Sequence, residues 1–275
     1  MNLYAFADEA SPLLKNQIAA MHRNGLQGLE IRNTDFGNVS AITPVQAGEI
    51  RKMMDDAGLT IWSCGSPIGK IAIDGDFKGH LEVFRRTLEV TNILGAQNMR
   101  MFSFYMPGGK DPAAYRNQVM DYLGQLLHIA AGTGIDLCHE NEKGIYGDIA
   151  LRCLDIFDTL PGLKCVFDPA NFIQSGQETL SAWEMLKPFV KYMHVKDALP
   201  SGQVVPAGKG AGHLQAILSD FKAMGGEHLS VEPHLKVFSG LENLEHGEKT
   251  VMDDFAYPTS DIAFDAACSA LKALL

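Results

Sequence analysis

A chain of 275 residues with 46% hydrophobic and 20% charged side chains has the balance of a protein that buries a substantial core, which excludes intrinsic disorder. Its formal charge of −10 gives it no broad basic surface, so a nucleic-acid partner is not expected. Cys64, Cys138, Cys153, Cys165 and Cys268 form no C-x-x-C pair and sit mostly in apolar runs such as L-K-C-V-F, as buried thiols in a reducing compartment would.

The first residues, M-N-L-Y-A-F-A-D-E, show no basic region followed by an apolar stretch, so no secretory signal is expected. No window approaches the ~20 apolar residues of a membrane helix. The expected location is cytoplasmic, away from membranes.

In chain order, short β-rich runs predict strands from Leu3 to Ala7, Gly28 to Arg32, Thr60 to Ser63, Asn98 to Phe102, Asp136 to His139, Lys164 to Phe167, Tyr192 to Val195 and Leu229 to Val231. Longer amphipathic stretches separate them, the pattern of a parallel sheet with helical crossovers. Ser11-Pro12, Thr43-Pro44 and Asp111-Pro112 each place a capping side chain before a proline suited to the first helical position. Gln46 completes a capping box with Thr43. Glycines at 25, 58, 95 and 134 suit helix ends, and the last helix is expected from near Ser260. After the first strand the chain reads F-A-D-E-A-S, without the glycine-rich turn of an open dinucleotide-binding sheet. The expected fold is therefore α/β, a single (β/α)8 TIM barrel, with residues 1–275 as one domain. Four long irregular stretches, from Ser63 to Phe77, Ser103 to Lys110, Asp197 to Gly212 and Pro233 to Pro258, all follow strands and so belong to the catalytic face.

The second half repeats one pattern four times, with a metal-ligand type where an apolar strand stops: D-L-C-H-E-N-E, C-V-F-D-P-A-N-F, Y-M-H-V-K-D and L-S-V-E-P-H. Ends of adjacent parallel strands share one mouth of a barrel, so Glu140, Asp168, His194 and Glu232 would meet there. An acid at a strand end also serves as a helix cap, and a lone histidine as a core residue. Four in consecutive strands are better explained together, since ionised carboxylates at an apolar edge need a partner. Three carboxylates and an imidazole suit Mn2+, Mg2+, Co2+ or Zn2+, with no thiolate to indicate structural zinc.

The segments H-E-N-E-K-G-I-Y-G-D, F-D-P-A-N-F, H-V-K-D and V-E-P-H, with P-A-G-K-G-A-G at 206–212, resemble the xylose isomerase-like barrels that include sugar phosphate isomerases and epimerases. The resemblance implies one divalent ion, manganese foremost, on Glu140, Asp168, His194 and Glu232, and an acid/base pair in Glu140 and Glu232. Such a pair beside a metal suits proton transfer next to a carbonyl through an enediolate. Sugars, sugar phosphates or related polyols are the implied substrates, and a homo-oligomer is implied as well. The same chemistry serves a dehydratase of an inositol-type or shikimate-type keto substrate. An apurinic endonuclease-like hydrolase and an inactive sugar-binding barrel are the remaining alternatives. One departure stands out: the ketose 3-epimerase branch usually has a histidine three residues after the metal-binding Asp and an arginine six after the His. Here those positions are Asn171 and Pro200.

For substrate contact the expected residues are Lys196, Glu142, Arg100 and Asn171. Lys196 lies two residues past His194, where strand alternation returns it to the same face. Glu142 and Lys143 have the alternative of solvated loop charges, and Asp197 could orient a ligand. Asp8, Glu30, Arg32 and Arg100 end early strands and would line the far wall or pair with one another. His139 should point away from Glu140, and His234 has a supporting role in a loop. Gly208, Gly210 and Gly212 suggest a phosphate cradle only weakly, against a plain turn.

Overall fold

The computed structural model describes residues 1–243, 250–253 and 256–275. Eight parallel strands close a barrel in sequential order: β1 (Asn2–Ala5), β2 (Gly28–Ile31), β3 (Thr60–Gly65), β4 (Asn98–Met101), β5 (Asp136–Glu140), β6 (Lys164–Phe167), β7 (Val190–Val195) and β8 (His228–Val231). Closure comes from β1 against β8, with Asn2 opposite His228 and Ala5 opposite Val231. All eight expected strands are present, displaced by no more than two residues at their ends.

Helices cover the outside: α1 (Leu14–Arg23), α2 (Pro44–Asp56), α3 (Phe77–Leu94), α4 (Arg116–Ala130), α5 (Ala150–Thr159), α6 (Pro169–Gln174), α7 (Thr179–Leu186), α8 (Leu214–Ala223) and α9 (Ser260–Lys272). The Thr43 hydroxyl accepts from Gln46 N–H while the Gln46 side chain accepts from Thr43 N–H, so α2 begins with the expected capping box. Asp111 caps a short 3-10 turn that leads into α4. Ser11-Pro12 does not open α1. That helix starts at Leu14, whose N–H is taken 2.9 Å away by the Asp35 carboxylate from the next loop. Gly95 ends α3 at φ 74°, a conformation that costs a side-chain-bearing residue.

Alternation along each strand divides the barrel into two environments. Outward residues such as Leu3, Ala5, Leu29, Met99, Leu137, Phe167, Met193 and Leu229 join the helices in one continuous apolar core. Inward residues are mostly polar or aromatic. Tyr4, Trp62 and His228 stack at the bottom, and Cys138, Val166 and Tyr192 pack above them. The next inward position of β5 to β8 falls at the strand ends, where the packed interior gives way to the mouth. Of the loop from Pro233 to Pro258, residues 244–249 and 254–255 lie outside the described residues.

Candidate metal centre

At that mouth Glu140 closes β5, Asp168 follows β6, His194 is the penultimate residue of β7 and Glu232 follows β8. All four are buried, and one donor atom from each lies within 4.8 Å of the others. His194 Nδ1 is 2.9 Å from Glu140 Oε1 and 3.7 Å from Glu232 Oε2. Asp168 does two things at once: Oδ1 accepts Asn171 N–H at 3.0 Å and caps α6, while Oδ2 is buried without a hydrogen-bond donor of good geometry. The capping and ligand readings of this aspartate are therefore compatible, one oxygen each.

The other imidazole nitrogen, His194 Nε2, is 3.0 Å from Glu30 Oε2. Glu30 is wholly buried, and its Oε1 accepts from Tyr192 Oη at 2.7 Å and Ser63 Oγ at 3.2 Å. A carboxylate on the far nitrogen fixes the ring and its tautomer and turns Nδ1 towards the cluster, as supporting carboxylates do for metal-binding histidines. The register between β2 and β3 shifts by one between Leu29 and Glu30, where a bulge re-aims the side chain.

Charge in the cluster is out of balance. Burial disfavours a charged imidazole, but Glu140 and Glu30 outweigh it and hold His194 well above its ordinary value. Burial also opposes ionisation of Glu140, yet His194 and Arg100 bring its carboxyl down to about 2. Burial pushes Asp168 up to about 7, a rise that Lys196 only partly offsets, with Glu232 and Glu140 adding repulsion. Against the same desolvation, Lys196, His234, His194 and Arg32 keep Glu232 well below its ordinary value. Both carboxylates touch the Lys196 ammonium, but Glu232 has Arg32 and His234 beside it as well.

Around the cluster lies a cleft with about 590 Å3 of space between atoms, part of it open to solvent. Lys196, Glu142, Arg100 and Asn171 all line it. Lys196 Nζ is 2.8 Å from both Asp168 Oδ2 and Glu232 Oε2. Arg100 Nε is 3.2 Å from Glu140 Oε2, with its guanidinium over the Phe102 ring. The Asn171 amide donates to Glu140 Oε1 at 3.2 Å and to the Asn141 carbonyl at 2.9 Å. Glu142 pairs with Lys70 at 3.1 Å. Arg32 binds Asp8 at 2.9 Å, Glu9 at 3.2 Å and Glu232 at 3.3 Å. His139 points away as expected and bonds Ser103 Oγ. His234 reaches Glu9 at 3.0 Å.

Two expectations change. Glu30 does not simply line a wall but holds the histidine; a charged residue inside G-L-E-I, and a tyrosine two residues before His194 on the same face, were the available signals. Gly208, Gly210 and Gly212 do form an anion cradle, but its occupant is internal: their N–H groups each reach the Asp197 carboxylate at 2.9 Å. A Cβ on Gly210 would stand 2.3 Å from Asp197 Oδ1 and from the Ala198 carbonyl, so this close approach requires glycine. Lys70, Phe102, Tyr105 and Gln174 also line the cleft; Lys70 and Tyr105 lie in loops that carry no periodic signal, and Gln174 ends the short helix α6.

The donor set fits a divalent cation. Three carboxylates converge with an imidazole whose other nitrogen is held, Asp168 Oδ2 faces the cluster with only the Lys196 ammonium beside it, and oxygen and nitrogen donors suit such ions. Among the described residues one other group, Glu9, Glu232 and His234, is similarly close. It shares Glu232, and the Arg32 guanidinium already lies between its carboxylates.

A family model described as "Xylose isomerase-like TIM barrel" matches residues 18–253. No match is found among curated protein sequences. Among solved structures, the chain is similar to a probable 3-DHS dehydratase from Bacillus anthracis, with a TM-score of 0.73 at 16% identity and 99% of each chain covered. It is similar to the IOLI protein with a bound zinc atom, at TM-score 0.74 and 18% identity over 100% of this chain and 98% of that one. D-allulose 3-epimerase from Methylomonas sp., in complex with D-allulose, aligns at TM-score 0.73 and 17% identity over 100% and 97% of the two chains. At these identities the likeness is one of fold.

Proposed function

From the chain's membership of the xylose isomerase-like TIM barrel family, we propose that it is a divalent-metal-dependent isomerase or epimerase of a sugar, sugar phosphate or related polyol, with Mn2+ as its ion. The observation that carries this reading is the meeting of Glu140 and Glu232, from the two outer strands of the β5 to β8 set, on a point shared with Asp168 and His194. When bound there, the cation would polarise a carbonyl oxygen and stabilise the charge left as a neighbouring C–H loses its proton. One glutamate takes that proton and the other returns one. Return to the opposite face of the same carbon epimerises; return to the adjacent carbon interconverts aldose and ketose. Arg100 beside Glu140, and Lys196 beside Glu232, stabilise each carboxylate in its ionised state. Asn171, held on Glu140 and the Asn141 carbonyl, and Glu142, on Lys70, frame the substrate hydroxyls from the β5 and β6 sides.

A dehydratase acting on a keto acid is the second reading. It is favoured by the cationic groups Lys70, Arg100, Lys143 and Lys196 along the cleft, which would suit a carboxylate. Incubation of the Mn2+-loaded protein with a panel of sugars and of inositol-type and shikimate-type keto substrates in deuterated water tests both. Solvent deuterium at a substrate carbon supports the first reading, stable loss of water by mass supports the second, and neither event across the panel would count against proton transfer at this site.

A further inference from the structure

Lys196 occupies an unusual position for a substrate-binding side chain. Its ammonium lies 2.8 Å from Asp168 Oδ2 and 2.8 Å from Glu232 Oε2, two carboxylates of the four-donor cluster. Their remaining oxygens are engaged elsewhere, Asp168 Oδ1 with Asn171 N–H at 3.0 Å and Glu232 Oε1 with Arg32 at 3.3 Å. Each carboxylate therefore has one oxygen left for a cation, and the lysine is on it.

We propose that Lys196 is a tethered cation that competes with the divalent ion for Asp168 and Glu232, so that metal loading requires the ammonium to withdraw from at least one of them. This rests on the metal centre argued above. Two cations that share the same two oxygens are held close together in a buried place, where their repulsion is poorly screened. The Lys196 backbone cannot give way, because it directly follows β7 in a closed barrel. The side chain can, through its four rotatable bonds, and it lines the same cleft as Glu142, which offers a counter-charge nearer the mouth. In the metal-free protein the lysine offsets repulsion between the carboxylates; in the loaded protein it faces the cleft, where it can donate to a substrate oxygen. Metal uptake thereby prepares the substrate contact.

Calorimetric titration with Mn2+ of the wild-type chain, Lys196→Gln and Lys196→Arg tests this. Removing one like charge from beside the ion should tighten Mn2+ binding in Lys196→Gln by about tenfold or more, whereas Lys196→Arg, which keeps the charge, binds no tighter than wild type. Without metal, Lys196→Gln should melt below wild type, because two buried carboxylates have lost their partner, and should gain more on adding Mn2+. Equal or weaker binding by Lys196→Gln, with wild type taking up one ion, overturns the proposal and leaves the metal centre standing. No binding by either protein overturns both. If Lys196→Gln fails to fold, a crystal structure of the Mn2+-loaded wild type decides: loss of at least one of the two carboxylate contacts supports the competition, and retention of both beside the ion refutes it.

Discussion

Replacing Glu30 with glutamine preserves shape and removes the charge that orients the His194 ring. The carboxylate takes Nε2 on one oxygen and the Tyr192 and Ser63 hydroxyls on the other. If the glutamine amide oxygen stays with the hydroxyls, its NH2 group faces Nε2 and selects the tautomer protonated on Nδ1, the nitrogen that turns towards the other donors. If the amide flips, NH2 meets two hydroxyls that were donors. Either arrangement weakens the imidazole as a ligand. Loss of such a supporting group typically costs about 10–100-fold in metal affinity, or about 1.4–2.7 kcal/mol. Competition against a chelator of known affinity, with circular dichroism to confirm the fold, measures it. A change below about threefold, under 1 kcal/mol, would show that Glu30 merely fills space.

Glu140→Gln and Glu232→Gln, made separately, should each lower turnover by about 10²-fold or more with the fold retained; undiminished turnover in either would refute its role in moving the proton, and no turnover by the wild type would favour a barrel that only binds sugar. Asp197→Ala strands the N–H groups of Gly208, Gly210 and Gly212 and should lower stability by about 3 kcal/mol or more, read by urea unfolding. The pH dependence follows from Asp168, raised from 3.8 to about 7 mainly by burial. In that window the metal-free fold holds a proton that the unfolded chain has lost, so the carboxyl's contribution to stability falls as pH rises from about 4 to about 7. Metal binding expels that proton, so the gain in Tm on adding Mn2+ should grow over the same range. Glu140, lowered from 4.5 to about 2, acts oppositely: its contribution is full above about pH 4.5 and fades towards pH 2.

What could be read in the sequence was what local pattern carries. Eight apolar runs separated by amphipathic stretches give the strands, and a polar ligand type at the end of each of the last four identifies the mouth. What could not be read depends on the closed register of the barrel. Glu30 meets His194 from 164 residues away, and nothing within G-L-E-I says that its carboxylate faces β7. Likewise α1 takes its first N–H acceptor from Asp35, in another loop, so Ser11-Pro12 was a local signal overruled at a distance. The three glycines after β7 hinted only weakly at an anion cradle against a plain turn, and the cradle they form is filled by the neighbouring Asp197. For Asp168 the local and the distant roles coincide, since one oxygen caps α6 and the other faces the cluster.

Metal content tests the central claim most directly: the wild-type chain and Asp168→Asn, each loaded with Mn2+ and dialysed, are compared by elemental analysis. One ion per wild-type chain and near-complete loss in Asp168→Asn is the expected result. Retention of the ion by Asp168→Asn, its absence from the wild type, or about three ions per chain as in a multi-metal hydrolase, would contradict a single centre on Glu140, Asp168, His194 and Glu232.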